Sequence, residues 1–309
     1  MRMLVLGAGA VGGYFGGRLA EAGGDVTFLV RPGRAALLSD SGLGVTSPLG
    51  DFRIPVQTAT VDQLSGTYDV VLLTAKHYGL DEAIDAIRPA VGEQTSVLPL
   101  LNGLVHLDRL DAAFGSERVL GGVAYVGAAL LPDGSIRHHN RFSALAFGDR
   151  SGSIGPRVQE IARVFEGTPV TAKPSGRILL DMWEKFVMLT TMAGMNCLMR
   201  GNIGEITDTE DGSALMRMFL GECQAVAAAS GHTLRPSHGD QTIAMLTRKG
   251  SIDSASMRTD LNAGGRTEAD WILGDMRRRA LALRVPIPLL SAAYCHLQVH
   301  ENRLAAQSR

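Results

Sequence analysis

The chain has 309 residues, 45% of them hydrophobic, and a formal net charge of −1. That is enough apolar side chain for real cores, over a length that suits two domains. The charges are spread along the sequence, so no basic stripe suits nucleic acid or a membrane surface, and no run is long enough to span a bilayer.

Met3 to Leu6 is a short apolar run of the kind buried on both faces of a parallel sheet. Gly7, Gly9 and Gly12 follow as G-x-G-x-x-G. A helix over about Ala10–Ala22 and a strand over Asp25–Val30 complete a βαβ unit. In that context the first glycine permits a tight turn, the second lets the backbone approach a pyrophosphate, and the third lets helix and strand pack closely. The first helical turn, with Ala10 and Val11, aims its N–H groups at the phosphates. The apolar N-terminus is thus accounted for as strand and turn rather than as a signal peptide. An acidic residue at the end of the second strand would bind the ribose 2′-hydroxyl of NAD. Arg31 stands there instead, with Arg34 close behind. A guanidinium can fork onto a 2′-phosphate, so the expected cofactor is NADPH.

Pro32-Gly33 marks a turn before a short helix over Ala35–Ser39. Residues 43–58 read as a small β excursion with a turn at Leu49-Gly50-Asp51. Tyr68–Thr74 is a buried strand, with Lys76 and His77 just past its end. Ligands of open α/β sheets bind outside the carboxyl ends of the strands, so Lys76 is placed to reach a cofactor or an acidic substrate, or else is a solvated loop lysine. A helix over Leu80–Ala90 leads to a strand over Ser96–Leu101 and then to Asn102-Gly103. Asn102 could hold a carboxamide, a ribose or a substrate carbonyl, or be a turn asparagine. Gly121–Ala129 and Ile136–Phe147 read as antiparallel strands finishing the sheet. His138 and His139 are adjacent in a strand and point to opposite faces, which argues against a metal pair. A helix over Gly155–Glu166 and a short strand over Thr168–Val170 follow.

From Ser175 onward long helical patterns replace strands. The fold class is therefore α/β followed by all-α: a Rossmann-type dinucleotide-binding domain over residues 1–172 and a helical domain over 173–309. Ile178–Met199 is apolar almost all round, as in a buried helix. Further helices are expected over Gly212–Ser230, Gly239–Thr247, Asn262–Arg284 and Leu289–Arg303. These apolar helices are core first, and could also make a homodimer interface. Lys185 is one charge on the buried helix. It is either snorkelling to solvent or used, since burial moves an ammonium toward values suited to proton transfer. Glu268 near a helix start and Ser256 as an N-cap have structural explanations of their own. Cys197, Cys223 and Cys295 form no C-x-x-C and read as buried thiols of a reducing compartment, so a cytoplasmic location is expected.

The glycine fingerprint, Arg31, Lys76, Asn102-Gly103, Trp183-Glu184-Lys185, Ser256-Met257 with Asp260, and Thr267-Glu268 come in an order and spacing that resembles the ketopantoate reductase family, over essentially the whole chain. That family comprises NADPH-dependent 2-dehydropantoate 2-reductases of pantothenate synthesis, with a Rossmann domain, a helical domain and the active site in the cleft between them. The resemblance implies that Lys185 is the general acid, that Glu268 hydrogen-bonds the substrate hydroxyl and that Ser256 binds the carboxylate. It further implies that Asn102 orients lysine and substrate, that Lys76 serves the cofactor and that Arg31 meets the 2′-phosphate. Well-characterised members carry asparagines one and two turns after the lysine. Here those positions are Leu189 and Ala193, and Asn196 is off that register. The expected reaction is reduction of ketopantoate. A different 2-oxo acid with a more apolar tail, or a non-catalytic NADP-binding sensor, are the alternatives.

Overall fold

A computed structural model describes residues 1–307. The chain divides into two compact units, the first comprising Met1–Leu101 and His106–Leu179, the second Asn102–Val105 and the residues from Leu180 onward. The change of pattern near Lys173 precedes this division by a few residues.

The first unit is built on a five-stranded parallel sheet. β1 (Arg2–Leu6) leads through α1 (Ala10–Glu21) to β2 (Asp25–Leu29), which pairs beside it from Arg2↔Asp25 to Leu6↔Leu29. After α2 (Pro32–Ser41), β3 (Leu43–Thr46) and β4 (Phe52–Ile54) form the expected excursion, and β5 (Gln57–Ala59) returns to pair with β2. β6 (Val70–Leu73), α3 (Leu80–Ile87) and β7 (Ser96–Pro99) extend the sheet on the other side of β1, giving the order β5-β2-β1-β6-β7. Met3, Leu4, Val5 and Val70 to Leu73 are all buried, because helices cover both faces of such a sheet. The strand order reverses between β1 and β6, the place where open α/β sheets bind their ligands.

The chain continues through α4 (His106–Phe114), β8 (Gly121–Leu130), β9 (Ile136–Gly148), α5 (Pro156–Val164) and β10 (Thr171–Pro174). β8 and β9 are the expected antiparallel hairpin, but they do not finish the first sheet. They found a second one. β9 is 13 residues long, so β8 occupies one edge while its other edge takes two parallel partners, β3 at Ile136–Arg137 and β10 at 144–147. β4 then adds to β3. The last strand lies a few residues later than expected, because Gly167, at φ +82, and Thr168 complete the turn that leaves α5.

α1 is covered from two sides. A Cβ at Gly16 would stand 2.8 Å from the Phe28 ring and 2.9 Å from Val5 of the first sheet, and one at Gly17 would stand 2.9 Å from Phe52 of the second. The doubled glycines of Gly-Gly-Tyr-Phe-Gly-Gly thus let both sheets close on one helix. Between them Tyr14 and Phe15 are completely buried.

The second unit is helical: α6 (Ile178–Met199), α7 (Ile203–Thr207), α8 (Gly212–Ala229), α9 (Pro236–Leu246), α10 (Ser256–Asn262), α11 (Asp275–Ala282) and α12 (Pro288–Gln307). The single helix expected over 262–284 is interrupted. α10 stops at Gly264, whose φ of +69 cannot continue a helix, an irregular stretch runs to Glu268, and the chain re-enters α11 through a π-helical turn at Asp270–Gly274. Cys197 and Cys223 are buried, and loss of hydration pushes both thiols up to about 12, whereas Cys295 is exposed, contrary to expectation. Among the described residues no helix is long and apolar enough to cross a membrane.

Candidate active site

The residues singled out by the sequence fall into two groups, one in each unit. In the first unit, the carboxyl ends of β1, β2 and β6 carry the glycine loop, Arg31 and Lys76. Gly7 adopts φ +89 and donates its N–H to the Leu29 carbonyl at 2.9 Å. A Cβ at Gly12 would run into the Gly7 carbonyl and the Thr74 hydroxyl, so helix and loop can be this close only without a side chain. A Cβ at Gly9 would meet nothing within 4 Å. The turn, the close packing and the open approach thus fall on the three glycines in that order. Gly9 caps α1 without a side-chain hydrogen bond, and the first turn holds no acidic residue. Its N–H groups, Ala10 and Val11 included, and the positive end of the dipole suit an anion. These features fit a dinucleotide pyrophosphate. Thr74 donates to the Leu6 carbonyl at 2.7 Å and ties the end of β6, just before the exposed Lys76, to the glycine loop.

Arg31 caps α2 with its guanidinium 91% exposed and only 3.4 Å from the equally solvated Glu82 carboxylate. Such a pair is worth little and yields readily to a phosphate. Arg34 is different. It donates to the Ala8 carbonyl at 2.8 Å and burial lowers its pKa, so it braces the glycine loop.

The second group surrounds α6. Trp183, Glu184, Phe186 and Val187 are all buried, with the half-buried Lys185 among them. Loss of hydration lowers the Lys185 ammonium to about 8, while the Glu268 carboxylate pulls the other way. An ammonium with that value is mostly protonated at neutral pH yet is a better acid than an ordinary lysine. Glu268 is itself buried. Asn102-Gly103 belongs to this unit. Gly103 takes φ +79, and a Cβ there would stand 3.3 Å from the Trp271 carbonyl and 3.6 Å from the Phe186 ring, so the segment lies against α6 and the π-turn.

Ser256 is the first residue of α10 rather than its cap. Ala255 caps the helix, and the Ser256 side chain is exposed and makes no hydrogen bond among the described residues. Asn196, the nearest asparagine to the register of the missing pair, is completely buried and bonded at both ends of its carboxamide. It donates to the Gly201 carbonyl at 2.8 Å and accepts from the Ala255 N–H at 2.9 Å, fastening the start of α10 to α6. Leu189 and Ala193 leave the face one and two turns beyond Lys185 apolar.

Sequence reasoning missed the partners of the two residues before the lysine. Trp183 stacks on His232 at 5.3 Å, with the Arg279 guanidinium 5.3 Å from its ring. Glu184, 1% exposed, accepts from the main-chain N–H and the guanidinium of Arg235, which also reaches Asp181. Burial alone would raise Glu184, but these bonds hold it below the usual carboxylate range. A charged residue next to a candidate acid on an apolar helix was the only hint that a distant partner exists.

A family model described as Ketopantoate reductase PanE/ApbA matches residues 3–152, and one described as Ketopantoate reductase PanE/ApbA C terminal matches residues 177–301. The chain is 33% identical over 301 residues to an uncharacterized oxidoreductase, YkpB, of Bacillus subtilis strain 168, covering 97% of this chain and 99% of that one. It is 27% identical over 319 residues to the 2-dehydropantoate 2-reductase of Mesorhizobium japonicum, covering 94% and 95%. Among solved structures, a PanE/ApbA family ketopantoate reductase from Ralstonia eutropha JMP134 superimposes with a TM-score of 0.88 at 27% identity, covering 98% of this chain and 99% of the other.

Proposed function

Because the chain belongs to the ketopantoate reductase family of nicotinamide-dependent oxidoreductases, we propose that it reduces the keto group of a 2-oxo acid with NADPH, Lys185 acting as general acid. The observation that carries this reading is Lys185 on a buried helix, lowered to about 8 and opposed by Glu268. The nicotinamide, when bound, supplies the hydride. The protein's part is to place the ketone and manage charge. Negative charge builds on the ketone oxygen as it is reduced, and the Lys185 ammonium stabilises that charge and then gives the oxygen its proton. Glu268 accepts a hydrogen bond from the substrate hydroxyl, the exposed Ser256 hydroxyl donates to the carboxylate, and Asn102 orients lysine and substrate. Gly7, Gly9, Gly12 and the first turn of α1 hold the pyrophosphate, with Lys76 and Arg31 on the cofactor side.

Ketopantoate is the first substrate to test, since the family's reaction is its reduction. A second reading rests on Leu189, Ala193 and on Asn196, whose carboxamide is bonded to the Gly201 carbonyl and the Ala255 N–H. A pocket lacking those amide donors suits a 2-oxo acid with an apolar tail, because sites discriminate most strongly through hydrogen bonds they are built to make. NADPH oxidation with a panel of 2-oxo acids, reported as kcat/KM, separates the two. Clear preference for ketopantoate supports a place in pantothenate synthesis, and preference for an apolar-tailed acid supports the second reading. NADPH binding with no turnover would overturn both in favour of a cofactor-binding protein.

The cofactor preference has its own test. Arg31→Ala is expected to weaken NADPH binding by about 10–100-fold, the worth of a charge-assisted contact, with little effect on NADH. Equal losses for both cofactors, measured by fluorescence titration, would remove Arg31 from phosphate recognition.

A further inference from the structure

We propose that α12 positions Glu268, with Glu301, His300 and Tyr294 as positioning residues for the carboxylate that faces Lys185. The inference rests on the reading of Lys185 and Glu268 given above.

Glu268 ends a stretch without helix or strand that begins after Gly264, so only the main-chain bonds on its C-terminal side are helical. α12 holds this stretch at three points that bracket Glu268. His300 Nε2 bonds the Gly265 carbonyl at 2.9 Å, three residues before Glu268. One oxygen of Glu301 accepts both the N–H of Thr267 at 2.8 Å and its hydroxyl at 2.6 Å, immediately before Glu268. The Thr267 oxygen in turn accepts from the Ala269 N–H at 3.4 Å, so both neighbours of Glu268 are chained to the same carboxylate oxygen. Two residues beyond, the Asp270 carboxylate accepts from the Tyr294 hydroxyl at 2.6 Å and from Arg278 at 2.8 Å. The main-chain carbonyl of Glu268 accepts from both Trp271 and Ile272 at 3.1 Å, which ties it into the π-turn that Asp270 begins.

Glu301 and Tyr294 are seven residues apart, about two turns, and so share one face of α12. Thr267 and Glu268 are both buried, where a hydrogen bond to an ionised group is strong and its loss is not made up by water. A carboxylate acts on a neighbouring ammonium steeply with distance. A displacement of Glu268 is therefore felt at Lys185 before the fold is lost.

The test is the apparent pKa of Lys185, read without turnover by competitive acetic anhydride labelling across pH and peptide mass spectrometry. Glu268→Gln removes the carboxylate and is expected to lower that pKa by about 1 unit. Glu301→Ala should lower it by about half as much or more, and raise KM for the best 2-oxo acid of the panel while leaving NADPH affinity unchanged. Glu301→Gln keeps an acceptor oxygen and should stay close to the parent protein. Glu301→Asp, which withdraws the acceptor by one methylene, is the variant to use if the alanine protein does not fold. A lower melting temperature with an unmoved Lys185 pKa would overturn the proposal, leaving Glu301 merely structural. An unmoved pKa in Glu268→Gln would overturn it together with the role given to Glu268. Persistent turnover in a Lys185 variant would overturn the general-acid reading alone, since the labelling result would still stand.

Discussion

Lys185→Ala is expected to lower kcat by about 10²–10⁴, the usual contribution of a positioned general acid, while leaving NADPH affinity within about twofold of the parent protein. The two readouts separate because Lys185 lies in the second unit and the glycine fingerprint in the first. The pH profile sharpens the expectation. The acid is competent only as the ammonium, and its pKa is lowered to about 8. Activity is therefore present below about 8 and falls as pH rises through that value, approaching tenfold per unit beyond it. An ordinary exposed lysine would place that fall more than two units higher, so the position of the alkaline limb reports the burial directly. Unchanged turnover in the alanine variant would remove Lys185 from the chemistry. An alkaline limb near the free-lysine value would mean that the ammonium is hydrated during turnover.

Arg235→Ala carries the largest expected loss of stability. Glu184 is 1% exposed and leans on the Arg235 guanidinium at 2.9 and 3.0 Å. Breaking a fully buried pair costs about 3–5 kcal/mol, because one charge is left without a partner. The guanidinium is 44% exposed, so water already shares its charge and about 2–3 kcal/mol is the better expectation. The pH dependence follows from the sign of the Glu184 shift. In the parent protein the carboxylate is held below its usual range despite burial, and this stabilises the fold above the unfolded pKa and fades as pH falls through the folded one. Without the guanidinium, only the main-chain N–H of residue 235 and His238, 3.6 Å away, still oppose burial, so the carboxyl is held ionised less strongly. The difference between the two proteins in urea unfolding should therefore be greatest near neutral pH and narrow toward acid. Glu184→Gln in the variant should recover part of the loss. A difference that does not change with pH would assign the effect to the packing of the arginine stem instead.

The two variants act on adjacent residues of one helix, and only the first has a role that the family resemblance implies. Lys76 and Asn102 could be marked because they follow strands, and ligands gather at such ends. Lys185 was ambiguous from its position, and Ser256 and Glu268 each had a structural explanation. The structure removes that explanation for Ser256, whose hydroxyl caps nothing, and gives Glu268 a charged neighbour.

What the sequence by itself determined is local. The glycine spacing, the apolar strand before it and the arginine after the second strand lie within thirty-one residues, and there the requirements of turn, close packing and phosphate approach act on chain neighbours. The helical period of α6 is legible for the same reason. Only the tertiary structure decided the rest. β3, β4 and β10 join β9 in a second sheet, because a long strand offers its free edge to whatever segment reaches it. Glu301 holds Thr267 across 34 positions and Arg235 pairs with Glu184 across 51. A buried carboxylate demands a partner, but burial and the partner's identity both arise from packing, and no spacing along the chain encodes either.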